Sequence, residues 1–274
     1  MAARMPVVFI SHGAPDALLT APDAVACWRE IGQSLPSPRA ILVISAHWEA
    51  RQPTASLSGA PETIHDFSGF APQLKRMQYP APGAPALAER AVALLRDAGI
   101  AAELHPNRGL DHGSWVPLSA LYPQASVPVT QLSLIHNGSA AQHVALGQAL
   151  TPLRDEGVLI VTTGAITHNF AWLDWNVSAD TAVVPQARVF ADWVGAQLDA
   201  HNAPALMAYR STSLGVAAHP TEEHFLPLFV GIGAAGEDAP QRYQPSFSYG
   251  GLAMDAYVWG AYPGEINAPL IRLG

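Results

Sequence analysis

Ala40-Ile41-Leu42-Val43-Ile44-Ser45-Ala46-His47-Trp48 is the stretch that decides the fold. Its apolar run carries two isoleucines and a valine, β-branched residues that suit a pleated surface. A continuous run of this kind, without polar alternation, reads as a short strand buried on both faces, as in the parallel sheets of α/β proteins. The run gives way to a histidine and a tryptophan. Ligands of open α/β sheets gather beyond the carboxyl ends of the strands, so His47 stands where a site forms.

Two other runs have the same character. Pro6–Ile10 precedes the turn-rich Ser11-His12-Gly13-Ala14-Pro15-Asp16, and Val158–Thr163 precedes Thr167-His168-Asn169. Residues 127–134 read as a further strand, 53–57 as a shorter one, and the tail 243–258 as one or two more. Between them lie helices. Residues 23–34 are one. Residues 85–98 are another, with Pro85 suited to the first helical position and Gly99 to the position after the last. Ser139 caps a helix that runs to about Glu156, is kinked or shortened by Pro152 and stops at Gly157. Residues 184–200 form the next. Thr221 is placed to cap a last helix, with His224 as about its third residue. Residues 59–83, rich in Pro and Gly, read as a long loop, and a loop of that length is usually functional or else a mis-assigned element. Strands alternating with helices predict an α/β fold: a central, largely parallel or mixed sheet with helices on both faces. With no linker, low-complexity tract or repeat, residues 1–274 read as one domain.

Composition narrows the chemistry. Hydrophobic residues make up 49% and charged residues 13%, against about 25% charged in ordinary globular chains. A large core follows, and the weakly charged surface leaves room for a homo-oligomer. The net charge of −8 argues against a nucleic-acid footprint, which needs clustered Lys and Arg. Lys75 is the only lysine and Cys27 the only cysteine, so lysine chemistry, an intrachain disulfide and a thiolate metal cluster find no material here. No apolar run approaches 18 residues and no signal segment is visible, so the expectation is a cytoplasmic protein without membrane spans. Gly231-Ile232-Gly233-Ala234-Ala235-Gly236 fits G-x-G-x-x-G but closes a predicted helix instead of following a strand, and is not read as a dinucleotide site.

Histidine is what remains. Of the eleven histidines, His12, His47 and His168 follow predicted strands within two to five residues. Parallel neighbouring strands would bring all three to one crevice, where neutral imidazoles bind Zn²⁺, Fe and similar metals. His112 lies in a predicted turn after Asp111, and His65 stands beside Asp66 as a pocket candidate. Trp48 and Trp115 read as core residues or as platforms for a substrate ring. His105, His136, His143, His201 and His219 read as surface or turn residues. Arg108 and Arg210 have the fork that grips a carboxylate but read as surface cations.

Seven strings, taken together, resemble one family: Ser11-His12-Gly13-Ala14-Pro15, Ser45-Ala46-His47-Trp48, Thr63-Ile64-His65-Asp66-Phe67, Tyr79-Pro80-Ala81-Pro82-Gly83, Asp111-His112-Gly113-Ser114-Trp115, Thr167-His168-Asn169 and Pro220-Thr221-Glu222-Glu223-His224. They are spread over residues 7–258 and look like the DOPA-type extradiol ring-cleavage dioxygenases, a branch of the class III extradiol group. The resemblance implies a non-haem metal held by His12, His47 and His224, with Fe(II) as the active ion and Zn(II) as a further occupant. It makes His168 the pocket acid/base, close enough to bind the metal in a resting state, and His112 a contact for substrate or oxygen. The wider class uses two histidines and a glutamate; this branch has a histidine in place of the carboxylate, and Glu222 and Glu223 stand next to it. The substrates implied are a catechol and O₂. From the residues alone, a zinc hydrolase and a non-catalytic metal-binding protein of the same fold stay open.

Overall fold

The computed structural model describes residues 4–176 and 182–260. The long apolar runs pair in parallel at its centre. The strands are β1 (Val7–Ser11), β2 (Ala40–Ala50), β3 (Thr54–Ser56), β4 (Glu103–His105), β5 (Val129–Ile135), β6 (Val158–Gly164), β7 (Pro240–Tyr243) and β8 (Ala256–Trp259). They form one sheet in the order β4-β3-β5-β2-β6-β1-β8-β7. β5, β2, β6 and β1 are mutually parallel. At the two sides β3 runs antiparallel to β5 and β8 antiparallel to β1, so the sheet is mixed.

Val7–Ile10, Ile41–Ile44 and Val158–Val161 are apolar and buried or nearly so at every position, because both faces of the central strands are covered. Val7, Phe9, Leu42, Ile44 and Ile160 pack on one side against α3 (Pro85–Asp97), α5 (Ala140–Leu150), α7 (Pro185–Asp199) and α10 (Leu226–Ala235). Their alternates Val8, Ile10, Ile41, Val43 and Val161 pack on the other side against α2 (Pro22–Ser34) and α4 (His112–Leu121). Shorter helices complete the chain: α1 (Ala17–Thr20), α6 (Pro152–Asp155), α8 (Ala203–Met207) and α9 (Ser213–Ala218).

The helix from Ser139 is shortened at Pro152, as expected: it ends at Leu150, and Pro152, which cannot donate within a helix, starts α6 afresh. Two local outcomes differ from the sequence reading. His112 is not in a turn: it is the first residue of α4, whose N-cap Asp111 accepts from the Ser114 backbone N–H. His224 is not inside a helix. α10 begins at Leu226 with Pro227 in its first turn. A helix starting at Glu222 would bury Pro227 in its interior and drive the proline ring into the Glu223 carbonyl. Thr221 accordingly turns its hydroxyl to the Glu223 carboxylate, 2.9 Å away, instead of capping.

β2 carries the one deviation that matters for function. Ile44 pairs with Leu132 of β5, and the next pairing is Glu49 with Leu134. Five steps on β2 therefore match two on β5, and Ser45–Trp48 bulge out of register, re-aiming side chains as bulges do. The His47 N–H donates to Ser45 Oγ (3.2 Å) inside the bulge.

Candidate metal centre and active site

Each histidine is placed by an element end. His12 follows β1, and its N–H donates to the Gly164 carbonyl at the end of β6 (3.0 Å). His224 is tied to the same strand end, since its carbonyl accepts from Ala165 N–H (2.8 Å). A Cβ at Gly164 would lie 2.2 Å from the His224 oxygen, so this close approach requires glycine. His168 lies four residues past β6 and donates its N–H to the Ala218 carbonyl (2.9 Å). The β2 bulge delivers His47, and the first turn of α4 delivers His112.

The rings converge. His47 Nε2 lies 3.0 Å from His12 Nε2 and 3.3 Å from His224 Nε2. A metal–nitrogen bond of about 2.0–2.1 Å separates adjacent nitrogens on one ion by about 2.9–3.4 Å, so the donor set fits a shared cation. The His168 ring stacks on His224, with centroids 3.5 Å apart and planes 9° from parallel. His112 lies 4.0 Å, centroid to centroid, from His47.

Electrostatics favours the neutral form of His12, His47, His168 and His224, the form that ligands must have. Burial first, then the neighbouring histidines, push His12 and His224 far below the ordinary histidine range. Burial and His112 lower His47 to about 4, against the opposing pull of Asp111 and Asp66. Burial also lowers His168. A ring of cations at these separations would be strongly repulsive; a ring of lone pairs is what a cation neutralises.

Carboxylates orient the rings from behind. Glu223 Oε1 accepts from His224 Nδ1 (2.9 Å), which leaves Nε2 as the free lone pair. Asp66 Oδ1 accepts from both the ring Nδ1 (2.9 Å) and the backbone N–H (3.0 Å) of His112, and Oδ2 lies 3.8 Å from His47 Nδ1. Burial raises the Asp66 pKa, but these bonds and the two imidazoles outweigh it and bring it down to about 2. Asp66 stood out in the sequence only as the neighbour of His65. A histidine-aspartate pair in a long loop was the available signal.

His47, His112, His168 and His224 open on a 750 Å³ cavity that is also lined by Gly13, Asp16, Phe70, Phe170, Trp175, Glu223 and Tyr249. His65, Trp48 and Trp115 do not line it. The His65 ring bonds the Met77 carbonyl (3.0 Å) and rests against Trp115. Trp115 is fully buried and donates its indole N–H to the Ile64 carbonyl (2.9 Å). Trp48 lies under the Arg108 guanidinium, 5.1 Å from its ring centroid. These three hold loop and bulge in place. Arg108 also donates to the His47 carbonyl (3.3 Å), and Arg210 to the His219 carbonyl (2.7 Å), so neither faces the cavity. His143 and His219 are fully buried, not on the surface. Each finds backbone partners: His143 with Ser139 and Ile135, His219 with Ile166.

Residues 8–259 match the family of the catalytic LigB subunit of aromatic ring-opening dioxygenase. The chain belongs to that family. It is 39% identical over 235 residues to the 4,5-DOPA dioxygenase extradiol of Escherichia coli K12, covering 84% of this chain and 85% of that protein. To the 4,5-DOPA dioxygenase extradiol of Beta vulgaris it is 41% identical over 237 residues, covering 84% and 87%. An uncharacterized protein of Escherichia coli K12, known as a crystal structure, superposes with a TM-score of 0.76 at 36% identity, covering 94% of this chain and all of that one. The family member described here is a non-haem, metal-dependent extradiol ring-cleaving dioxygenase that acts on a small molecule with O₂. Among the described residues no helix is long and apolar enough to cross a membrane.

Proposed function

We propose that residues 1–274 form one catalytic domain that uses Fe(II) to open the ring of a catechol, DOPA-like or related, next to its diol, and that both atoms of O₂ enter the product. The convergence of His12, His47 and His224 Nε2 atoms at one end of a cavity large enough for a catechol carries this reading. His12, His47 and His224 would hold the ion through their Nε2 atoms, and Fe(II) there would supply the redox chemistry that allows a catechol to react with O₂.

The chain's own groups do the rest. Three neutral imidazoles leave the site one unit more positive than two histidines and a carboxylate would, which favours an anionic catecholate over the neutral diol. His168, kept neutral by burial, is the base that takes a hydroxyl proton; such assistance is typically worth about 10²–10⁴-fold. His112 lines the cavity with Nδ1 engaged by Asp66, which leaves Nε2 as its ring nitrogen for substrate or oxygen. Glu223 fixes the His224 ring and is not assigned as a ligand. Nothing in the site or the comparisons favours the hydrolytic or the non-catalytic alternative. A cytoplasmic homo-oligomer is part of the same proposal. It is supported by the low charge density and the single cysteine, and light scattering tests the assembly.

Protein loaded anaerobically with Fe(II) and then exposed to O₂ should consume one O₂ per catechol and form a yellow ring-opened product. Absence of oxygen uptake with a panel of catechols would overturn the assignment.

A further inference from the structure

Asp111 is a fully buried carboxylate with more partners than its helix needs. Oδ1 accepts from the Ser114 backbone N–H (3.2 Å) and hydroxyl (3.1 Å), which caps α4. Asparagine caps a helix as well as aspartate does, so capping does not call for the charge. Oδ2 meets a second set of donors: the Gln131 side-chain amide, from β5, and the Arg108 guanidinium at 3.4 Å. Desolvation offsets most of the attraction in a buried ion pair, so such a pair adds little to stability. The informative feature is what this one holds.

It holds the β2 bulge. β2 pairs with β6 as far as Ser45 and regains β5 at Glu49, so His47 belongs to neither ladder. Its carbonyl accepts from Arg108 (3.3 Å), through the same terminal nitrogen that meets Asp111. The guanidinium also covers the next residue, Trp48, 5.1 Å from the ring centroid, a cation–π separation. The arginine itself stands on the sheet, since its own carbonyl accepts from Ser56 Oγ of β3 (2.6 Å). For His47 and Trp48, Arg108 and Asp111 stand in for the ladder that the bulge gives up.

We infer that Asp111 and Arg108 are positioning residues for the metal centre. The pair clamps the bulge to the start of α4 and so aims His47 Nε2 at the point it shares with His12 and His224. The inference rests on the metal-centre reading above, and neither residue lines the cavity. Asp111 supplies the charge that keeps the guanidinium, 26% exposed, from turning out to solvent. Arg108 supplies the fork that reaches carboxylate, carbonyl and indole at once.

Asp111→Asn is the discriminating variant. It retains the cap, and the Gln131 amide can turn its Oε1, which is buried without a partner, toward the new Nδ2. Only the hold on Arg108 is lost. Arg108→Gln releases the clamp from the other side, at a partly exposed position, and carries the test should Asp111→Asn not fold. Competition for Co(II) against a chelator should show each variant about 10–100-fold weaker than wild type, with the visible bands altered at saturating cobalt. The double variant should be no weaker than the weaker single one, because both residues act through one carbonyl. A role in stability alone would lower the urea midpoint and leave the cobalt bands of the folded protein unchanged. Wild-type affinity and bands in the folded single variants, or losses that add in full in the double variant, would overturn the inference. His47→Ala checks the ground beneath it: cobalt affinity equal to wild type there would end the metal-centre reading and this inference with it. If the variants behave as expected but Fe(II)-loaded wild type consumes no O₂ with catechols, the dioxygenase reading fails and the clamp stands.

Discussion

Gly113 separates the metal-site account from a merely structural one. It is the second residue of α4 and lies against the β2 bulge. A Cβ built on it would stand 2.4 Å from Ser45 Oγ, 2.8 Å from His47 Cδ2 and 3.2 Å from His12 Cε1. Carbon atoms in van der Waals contact sit about 3.5–4.0 Å apart, so Gly113→Ala must push the His47 ring away by about 0.7 Å or more. Ser45 cannot absorb the strain: it is fully buried, and its hydroxyl already accepts from the His47 N–H. Metal sites tolerate distance errors of about 0.2 Å, and disturbing the groups that orient ligands costs about 10–100-fold in affinity. Stability should move less. Overpacking costs about 1–3 kcal/mol, offset by about 1 kcal/mol gained when a helical glycine becomes alanine. The assay is competition for Co(II) against a chelator, followed through the cobalt visible bands, with urea unfolding alongside. Gly59→Ala is the control, because nothing lies within 4 Å of its added methyl. Gly113→Ala should lose at least tenfold in affinity with the cobalt spectrum altered. Affinity and spectrum like those of the control would refute the placement of His12 and His47 around one ion.

Two further predictions concern single histidines. His168→Ala should keep the metal, measured as bound iron per chain, and lower kcat about 10²–10⁴-fold; loss of iron would make His168 a ligand instead of a base. His219 predicts acid sensitivity away from the metal. Burial, only partly opposed by its bond to the Ile166 carbonyl, lowers it to about 3. The folded chain thus keeps it neutral while the unfolded chain protonates it below pH 6.5, so stability falls as pH drops from 6.5 toward 3. Between pH 7 and pH 5 this single group should remove about 2 kcal/mol. His219→Gln, compared with wild type by urea unfolding at both pH values, should show that much less acid destabilisation. Equal losses in the two proteins would place the effect elsewhere.

What the sequence made legible follows from the physics of each part. Strands β1, β2 and β6 were readable because a strand buried on both faces needs runs of apolar residues, and few other segments of this chain carry such unbroken β-branched runs. His12 and His47, at or near the ends of such strands, were readable for the same reason, and His224 through its local string. The β2 bulge was not, since Ser45–Trp48 keeps strand-like composition and only the pairing with β5 shows the slip. The start of α10 turned on Pro227, a backbone constraint that outweighed the capping chemistry of Thr221. Trp48 and Trp115 were ambiguous because burial, not residue type, decides whether a tryptophan packs or recognises. His143 and His219 seemed too polar for the interior, but a neutral imidazole can be buried where backbone groups meet it, at both nitrogens in His143 and at Nε2 in His219. Asp16, Phe170, Trp175 and Tyr249 come from three distant segments, and no local pattern links them.

The central claim is that His12, His47 and His224 share one iron. Anomalous diffraction at the iron edge, from crystals of the Fe(II)-loaded protein, tests it most directly. A single strong peak is expected about 2.0–2.2 Å from the three Nε2 atoms, with Glu223 on Nδ1 of His224 and not on the metal. A peak bound through Glu223 and His168 without His12, or no peak between the three rings, would contradict it.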